Sequence, residues 1–170
     1  MRRRLFPLLH VLLLAATVVM VGCASPVKPI GQYAPETRTW SGRLAVRIDG
    51  VNDSPPQSFS ASFDLIGQAS TGELILYGPL GTAAAHLNWT PEAATLRSNG
   101  TVRHFNSLSE LVQQATGTDL PIAALFDWLA GRDLPVPGWQ ADLSQLSQGR
   151  LTARRLHPEP TAELRLIFEP

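Results

Sequence analysis

Few side chains in this sequence could do chemistry: beyond residue 22 they are Cys23, His86, His104, His157 and a loose group of carboxylates at Asp127, Asp133 and Asp142. The histidines are scattered, and none stands at ligand spacing from another His, Cys or carboxylate, so they read as strand-face or surface groups and not as a metal set. The three aspartates fall near the end of a helix-like stretch and can be drawn as an acid and a base. Acidic residues at exposed helix and loop positions are, however, ordinarily solvated groups. No Gly-x-Ser-x-Gly elbow, phosphate loop or dinucleotide fingerprint occurs in the chain. These patterns give no support to an enzyme, a metal centre or a cofactor. What remains is a 170-residue chain that is 44% hydrophobic and 16% charged, enough for one domain with a substantial core.

Cys23 is the one cysteine, and its setting is specific. Arg2, Arg3 and Arg4 precede an apolar run from Val11 to Val21, which is followed by Gly22, Cys23, Ala24 and Ser25. The run is shorter than the roughly 20 residues of a spanning helix and has the form of a secretory signal. With small Gly22 before the cysteine, this stretch resembles a bacterial lipobox, although Met20 stands where leucine is usual. The resemblance implies a signal peptide over residues 1–22, cleavage before Cys23 and lipidation of that residue. The other reading, a free thiol in an oxidising compartment, leaves it with no partner to pair with. In Gram-negative lipoproteins an aspartate after the cysteine is the usual inner-membrane retention signal, so Ala24 implies the outer membrane, facing the periplasm. Asn88-Trp89-Thr90 has the form of a glycosylation sequon, which carries no meaning behind such a leader. Cleavage removes three of the 14 basic residues and none of the 14 acidic ones, leaving a formal charge of −3 that does not favour nucleic acid. Residues 23–39, with Pro26, Pro29, Gly31 and Pro35, read as the lipidated cysteine and a flexible tether. Residues 40–170 are left for the domain.

Within the domain, alternation comes first. Leu44, Val46 and Ile48 share one strand face, and Phe59, Ala61, Phe63 and Leu65 share another. Glu73 to Tyr77 is a third strand, the turn Gly78-Pro79-Leu80-Gly81 follows, and Ala83, Ala85, Leu87 and Trp89 make a fourth. Asn99-Gly100 joins two more in a tight hairpin. Ser107-Leu108-Ser109-Glu110 then has the form of a capping box opening a helix closed by Gly117. A second helix over Leu120 to Gly131 carries Ile122, Leu125, Phe126 and Leu129 on one stripe. Alternation returns at Trp139, Ala141 and Leu143, at Leu151 and Ala153, and at Ala162 to Phe168. Six strands, two helices and three strands do not make a βαβ pattern. The expected fold is mainly β with helices (α+β), a strongly curved antiparallel sheet with the helix pair across its open side.

Several of these stretches together resemble the LolB family of outer-membrane lipoprotein receptors: Trp40-Ser41-Gly42-Arg43, Phe59 to Phe63, Leu76 to Gly81, Leu108 to Leu111, Leu120-Pro121 and Leu125 to Gly131. The resemblance implies a half-barrel closed by a helical lid over a hydrophobic cavity. It also implies a receptor that accepts lipoproteins from the periplasmic carrier LolA by their acyl chains and inserts them into the outer membrane without a nucleotide. The expected partners are therefore a LolA-type carrier, lipoprotein acyl chains and outer-membrane lipid, with the protein itself a monomer. The acyl-chain cavity candidates are Phe59, Phe63, Leu76, Leu87, Trp89, Leu125, Phe126, Trp128, Leu129 and Trp139, although each tryptophan reads equally well as core filler. The family's exposed loop hydrophobe, implicated in membrane delivery, maps onto Leu80, and a leucine at a normally polar turn tip needs a reason. Its other reading is a fold back against Tyr77. The chain departs from the family in a short connection, Arg132 to Gly138, and in lacking an aromatic finish, which bears on the cavity's far wall. The competing reading from another class is a structural or assembly lipoprotein of the cell envelope with no ligand cavity.

Overall fold

The computed structural model describes residues 37–50 and 55–169. The leader, Cys23 and most of the expected tether lie outside the described residues. Among the described residues nine strands form one antiparallel sheet: β1 (Arg38–Ile48), β2 (Gln57–Gln68), β3 (Thr71–Tyr77), β4 (Ala83–Trp89), β5 (Ala94–Ser98), β6 (Thr101–Phe105), β7 (Trp139–Asp142), β8 (Arg150–Arg155) and β9 (Ala162–Phe168). Their spatial order is β6-β5-β4-β3-β2-β1-β9-β8-β7, so the sheet is open, with β6 and β7 at its edges. Two helices, α1 (Leu108–Thr116) and α2 (Ile122–Leu129), interrupt the strands between β6 and β7. The fold is α+β.

The strand faces follow the alternation of the sequence. Leu44, Val46 and Ile48 of β1, Leu74 of β3, Leu87 and Trp89 of β4, and Leu164 and Leu166 of β9 are all buried. Their neighbours in the chain, such as Arg43, Asn88 and Arg165, face solvent. β1 begins at Arg38, before the apolar alternation starts, because Arg38 and Thr39 pair with Gly67 and Ile66. Those residues had been expected in the tether, and their place in the strand is set by backbone pairing that side-chain pattern does not reveal.

Local chemistry fixes the helix ends. The Ser107 hydroxyl accepts from the Glu110 N–H at 3.1 Å. The Glu110 carboxylate reaches one residue further back than a capping box requires, accepting from the Asn106 N–H at 2.9 Å. Gly117 ends α1 at φ 72°. Helix α2 is shorter than the stretch Leu120 to Gly131: Pro121 sits at its N-cap, and Gly131, at φ 77°, turns the chain away. The Asn99-Gly100 pair has φ 51° and 74°, both positive as a type I′ hairpin turn requires.

Helix α2 packs on the apolar face. Phe126 of α2 meets Trp40 of β1 edge-on at 5.7 Å between ring centres, and Trp89 of β4 at 6.1 Å. Both tryptophan indoles that are fully buried are satisfied: Trp89 donates to the Ala69 carbonyl at 3.1 Å and Trp128 to that of Leu134 at 2.9 Å. Tight packing therefore fills one end of the space between sheet and helices.

Candidate functional site

The rest of that space is not filled. A pocket of about 540 Å³ opens between the apolar sheet face, α1 and the start of α2. Its floor comes from alternate residues of successive strands: Leu44 and Val46, Phe59, Leu74 and Leu76, Ala85 and Leu87, and Leu96. Leu111, Val112 and Ala115 of α1, with Leu120, Ile122 and Leu125, form the opposite wall. Ser98, Asn99, Thr101 and Arg103 of the β5–β6 hairpin and Gln114 and Thr116 of α1 supply its polar lining. Most of these polar residues are exposed, so they form a rim around an apolar interior. The volume falls within the roughly 300–1,000 Å³ of small-ligand pockets.

The residues singled out from sequence divide in two. Phe59, Leu76, Leu87 and Leu125 line the pocket. Phe63, Trp89, Phe126, Trp128 and Leu129 are buried but lie outside its wall, in the packed end of the core. Trp139, half-buried on β7, faces the Arg155 guanidinium at 5.9 Å and also stands apart from the pocket. Sequence reasoning favoured large aromatics, whereas the pocket is lined mainly by aliphatic side chains, with Phe59 its one aromatic among the described residues. The small lining residues are Ala85, paired with Leu76 and Ser98 on the adjacent strands, and Ala115 of α1.

Arg155 is a buried cation that the sequence reading passed over. It ends the inward face of β8, where it donates to the Pro160 carbonyl from Nη2 at 2.6 Å and from Nε at 3.2 Å. A longer bond, 3.4 Å, reaches the Asp119 carbonyl between the two helices. Burial lowers its pKa, and the nearby Asp119 charge opposes that shift. The guanidinium thus ties the β8–β9 connection to the helix pair.

Leu80 is 92% exposed and does not fold back on Tyr77. The turn is closed by the Gly81 N–H donating to the Gly78 carbonyl at 2.9 Å, and the positive φ, 75°, falls on Gly81. Pro79 and Leu80 therefore keep ordinary backbone conformations while the tip projects from the β3–β4 hairpin.

The candidate acid–base groups are not brought together. His86 lies 2.9 Å from the Glu73 carboxylate, whereas His104 and His157 are exposed. Asp127 pairs with Arg132 at 2.6 Å, and Asp133 is exposed. Asp142 accepts from the Ser144 N–H at 3.0 Å, and hydrogen bonds from Ser144 lower its pKa. Among the described residues no group of three His, Cys, Asp or Glu side chains could hold a metal ion.

The family model described as "Outer membrane lipoprotein LolB" matches residues 37–158 of this chain. The outer-membrane lipoprotein LolB of Cupriavidus pinatubonensis is 33% identical over 147 residues, covering 84% of this chain and 69% of the relative. That of Dechloromonas aromatica is 33% identical over 71% of this chain and 64% of the relative. That of Bordetella petrii is 30% identical over 87% of this chain and 85% of the relative. The match runs from the first residue of the described structure through β1 to β8 and both helices and ends in the β8–β9 connection, before β9. The chain belongs to the LolB family of outer-membrane lipoproteins, held at the outer membrane by a lipid anchor.

Proposed function

We propose that this protein is an outer-membrane receptor that takes lipoproteins from a LolA-type periplasmic carrier by their acyl chains and releases them into the outer membrane. In this reading residues 1–22 are the signal peptide, Cys23 is the lipidated residue and residues 24–37 are the tether. The open sheet acts as a half-barrel, with α1 and α2 as its lid. The observation that carries the proposal is the pocket of about 540 Å³, apolar on both walls and polar only at its rim. An acyl chain suits such a space: burying about ten methylenes removes on the order of 8 kcal/mol of unfavourable hydration. A bilayer offers the same gain, so passage from pocket to membrane is close to isoenergetic and requires no nucleotide. The protein acts as a carrier, with no covalent step.

Transfer provides the test. The chain without its leader and Cys23 is mixed with a carrier loaded with radiolabelled lipoprotein, and the label is followed by pull-down. It is expected to move to the receptor and then to added vesicles. A folded receptor that takes up no label overturns the proposal and favours a structural or assembly lipoprotein of the cell envelope.

A further inference from the structure

On the face of the sheet opposite the helices, the register aligns one row of side chains across four strands. Arg43 of β1 stands directly opposite Ile167 of β9 on one side and Ser62 of β2 on the other, and Ser62 stands opposite Tyr77 of β3. Directly paired residues point to the same face, and strands are spaced by about 4.8 Å, so the row spans roughly 14 Å. It runs into the turn that carries Leu80. Ile167 is itself 59% exposed, an apolar side chain with no obvious reason to face water.

Where β2 continues past the end of β3, a depression of about 370 Å³ is lined by Arg43, Ser60, Ser62, Tyr77 and the turn residues Pro79 and Gly81 that flank Leu80. Arg43 is exposed and has no ion-pair partner among the described residues. Among the described residues Arg47, Arg132, Arg154 and Arg165 are paired to carboxylates. Arg38, Arg97 and Arg150 are exposed and in no ion pair among the described residues, as Arg43 is, and the depression with its two serines sets Arg43 apart. The nearest acid along β2, Asp64, is already engaged, accepting from the Ser41 hydroxyl and the Tyr77 hydroxyl at 2.6 Å each. An open guanidinium with two serine hydroxyls beside it matches the oxygens of a phosphate, which arginine holds in a planar fork.

We propose that this depression binds the phosphate of a glycerophospholipid headgroup when Leu80 enters the bilayer. The proposal rests on the reading of Leu80 as the membrane-delivery residue. With the leucine among the acyl chains, the first anions met by the neighbouring wall are lipid phosphates. Arg43 is the group placed to meet them. Leu80 then supplies depth, Arg43 supplies a stop at headgroup level, and Ile167 and Tyr77 extend the same row as interfacial contacts. A formal charge of −3 after cleavage gives the molecule no general attraction to an anionic surface, so recognition is local.

The full lipidated chain in vesicles of phosphatidylethanolamine and phosphatidylglycerol provides the test, with a trace of phospholipid bearing a photoreactive group on either its headgroup or its acyl tail. Headgroup label is expected on the peptides carrying Arg43 and Ser60 to Ser62, and tail label on the peptide carrying Leu80. Arg43→Gln is expected to cut the headgroup label about fivefold, the factor that corresponds to one arginine at an anionic surface, and to leave the tail label on the turn. Arg97→Gln removes another exposed charge, on β5, and is expected to change neither. Headgroup label unaffected by Arg43→Gln overturns the proposal, as does tail label on the turn with no headgroup label on β1 and β2. Absence of tail label from the turn overturns the Leu80 reading itself and this proposal with it. In vesicles of a phosphate-free glycolipid, inorganic phosphate that protects Arg43 from an arginine-modifying reagent as well as phospholipid does would identify a free-phosphate site and overturn the lipid assignment.

Discussion

At the scale of single residues, exposure lets a delivery role be tested apart from stability. Because Leu80 is 92% exposed, Leu80→Glu is expected to alter stability by no more than about 0.5 kcal/mol. Cargo capture should persist while transfer of bound lipoprotein into vesicles falls sharply, since moving one leucine into lipid is worth roughly 1.5 to 3 kcal/mol. Thermal melting, capture and transfer measured on this one variant decide the matter, and equal loss of all three would refute a delivery role. Tyr77 gives a second prediction. Its hydroxyl donates to Asp64, and that bond, with burial and the Asp64 charge, raises its pKa above the ordinary tyrosine value. A raised folded-state pKa means that the contribution to stability is complete below the unfolded value near 10 and is lost as pH rises through the folded value. The chain has two tyrosines. Ultraviolet titration should show phenolate absorbance appearing late, above pH 10, and Tyr77→Phe should remove that late component. A Tyr77 signal titrating at the ordinary value would contradict the hydrogen bond.

At the scale of elements, the strands and helices were largely legible. Alternation at Leu44 to Ile48 and Phe59 to Leu65, the Asn99-Gly100 turn, and Ser107 with Gly117 around α1 are local rules, and the chain obeys them locally. What alternation does not encode is which inward residue meets another side chain and which meets space. Trp89 and Leu87 lie on the same face of β4, yet Trp89 packs against Phe126 while Leu87 lines the pocket. The difference comes from the partner across the sheet. Trp89 pairs with Gly72, and a Cβ on Gly72 would lie 2.8 Å from the indole and 2.6 Å from the Ile66 carbonyl. Gly72→Ala is therefore expected to displace Trp89, loosen Phe126 and α2, and destabilise the fold by about 1 to 3 kcal/mol. Urea denaturation measures this, and an unchanged midpoint would show that the indole shifts freely. Arg155 was illegible for a similar reason: its partners are backbone carbonyls at Pro160 and Asp119, which no side-chain pattern announces.

At the scale of the whole molecule, open space and tight packing lie at different ends of one apolar face. Trp40, Trp89 and Phe126 fill one end, and the pocket occupies the other. Filling the pocket should therefore remove binding without removing the fold. Ala85→Phe, at a half-buried position in the pocket floor, is expected to lower the affinity for an environment-sensitive hydrophobic probe at least tenfold, with far-ultraviolet circular dichroism and cooperative melting retained. Probe binding that survives the substitution would place the acyl site elsewhere. The position of β1 has a consequence of its own, in time. Strands β1 to β6 can zip together as successive local hairpins, each forming in roughly microseconds. The second edge of β1, however, pairs only with β9, and Arg43 must wait for Ile167. Until the chain beyond Ala162 arrives, β1, an interior strand of the finished sheet, is an unprotected edge, the kind that recruits strands from other molecules. Docking of β9 is thus expected to set the pace of folding, and the interval before it is when a nascent copy is most exposed to aggregation.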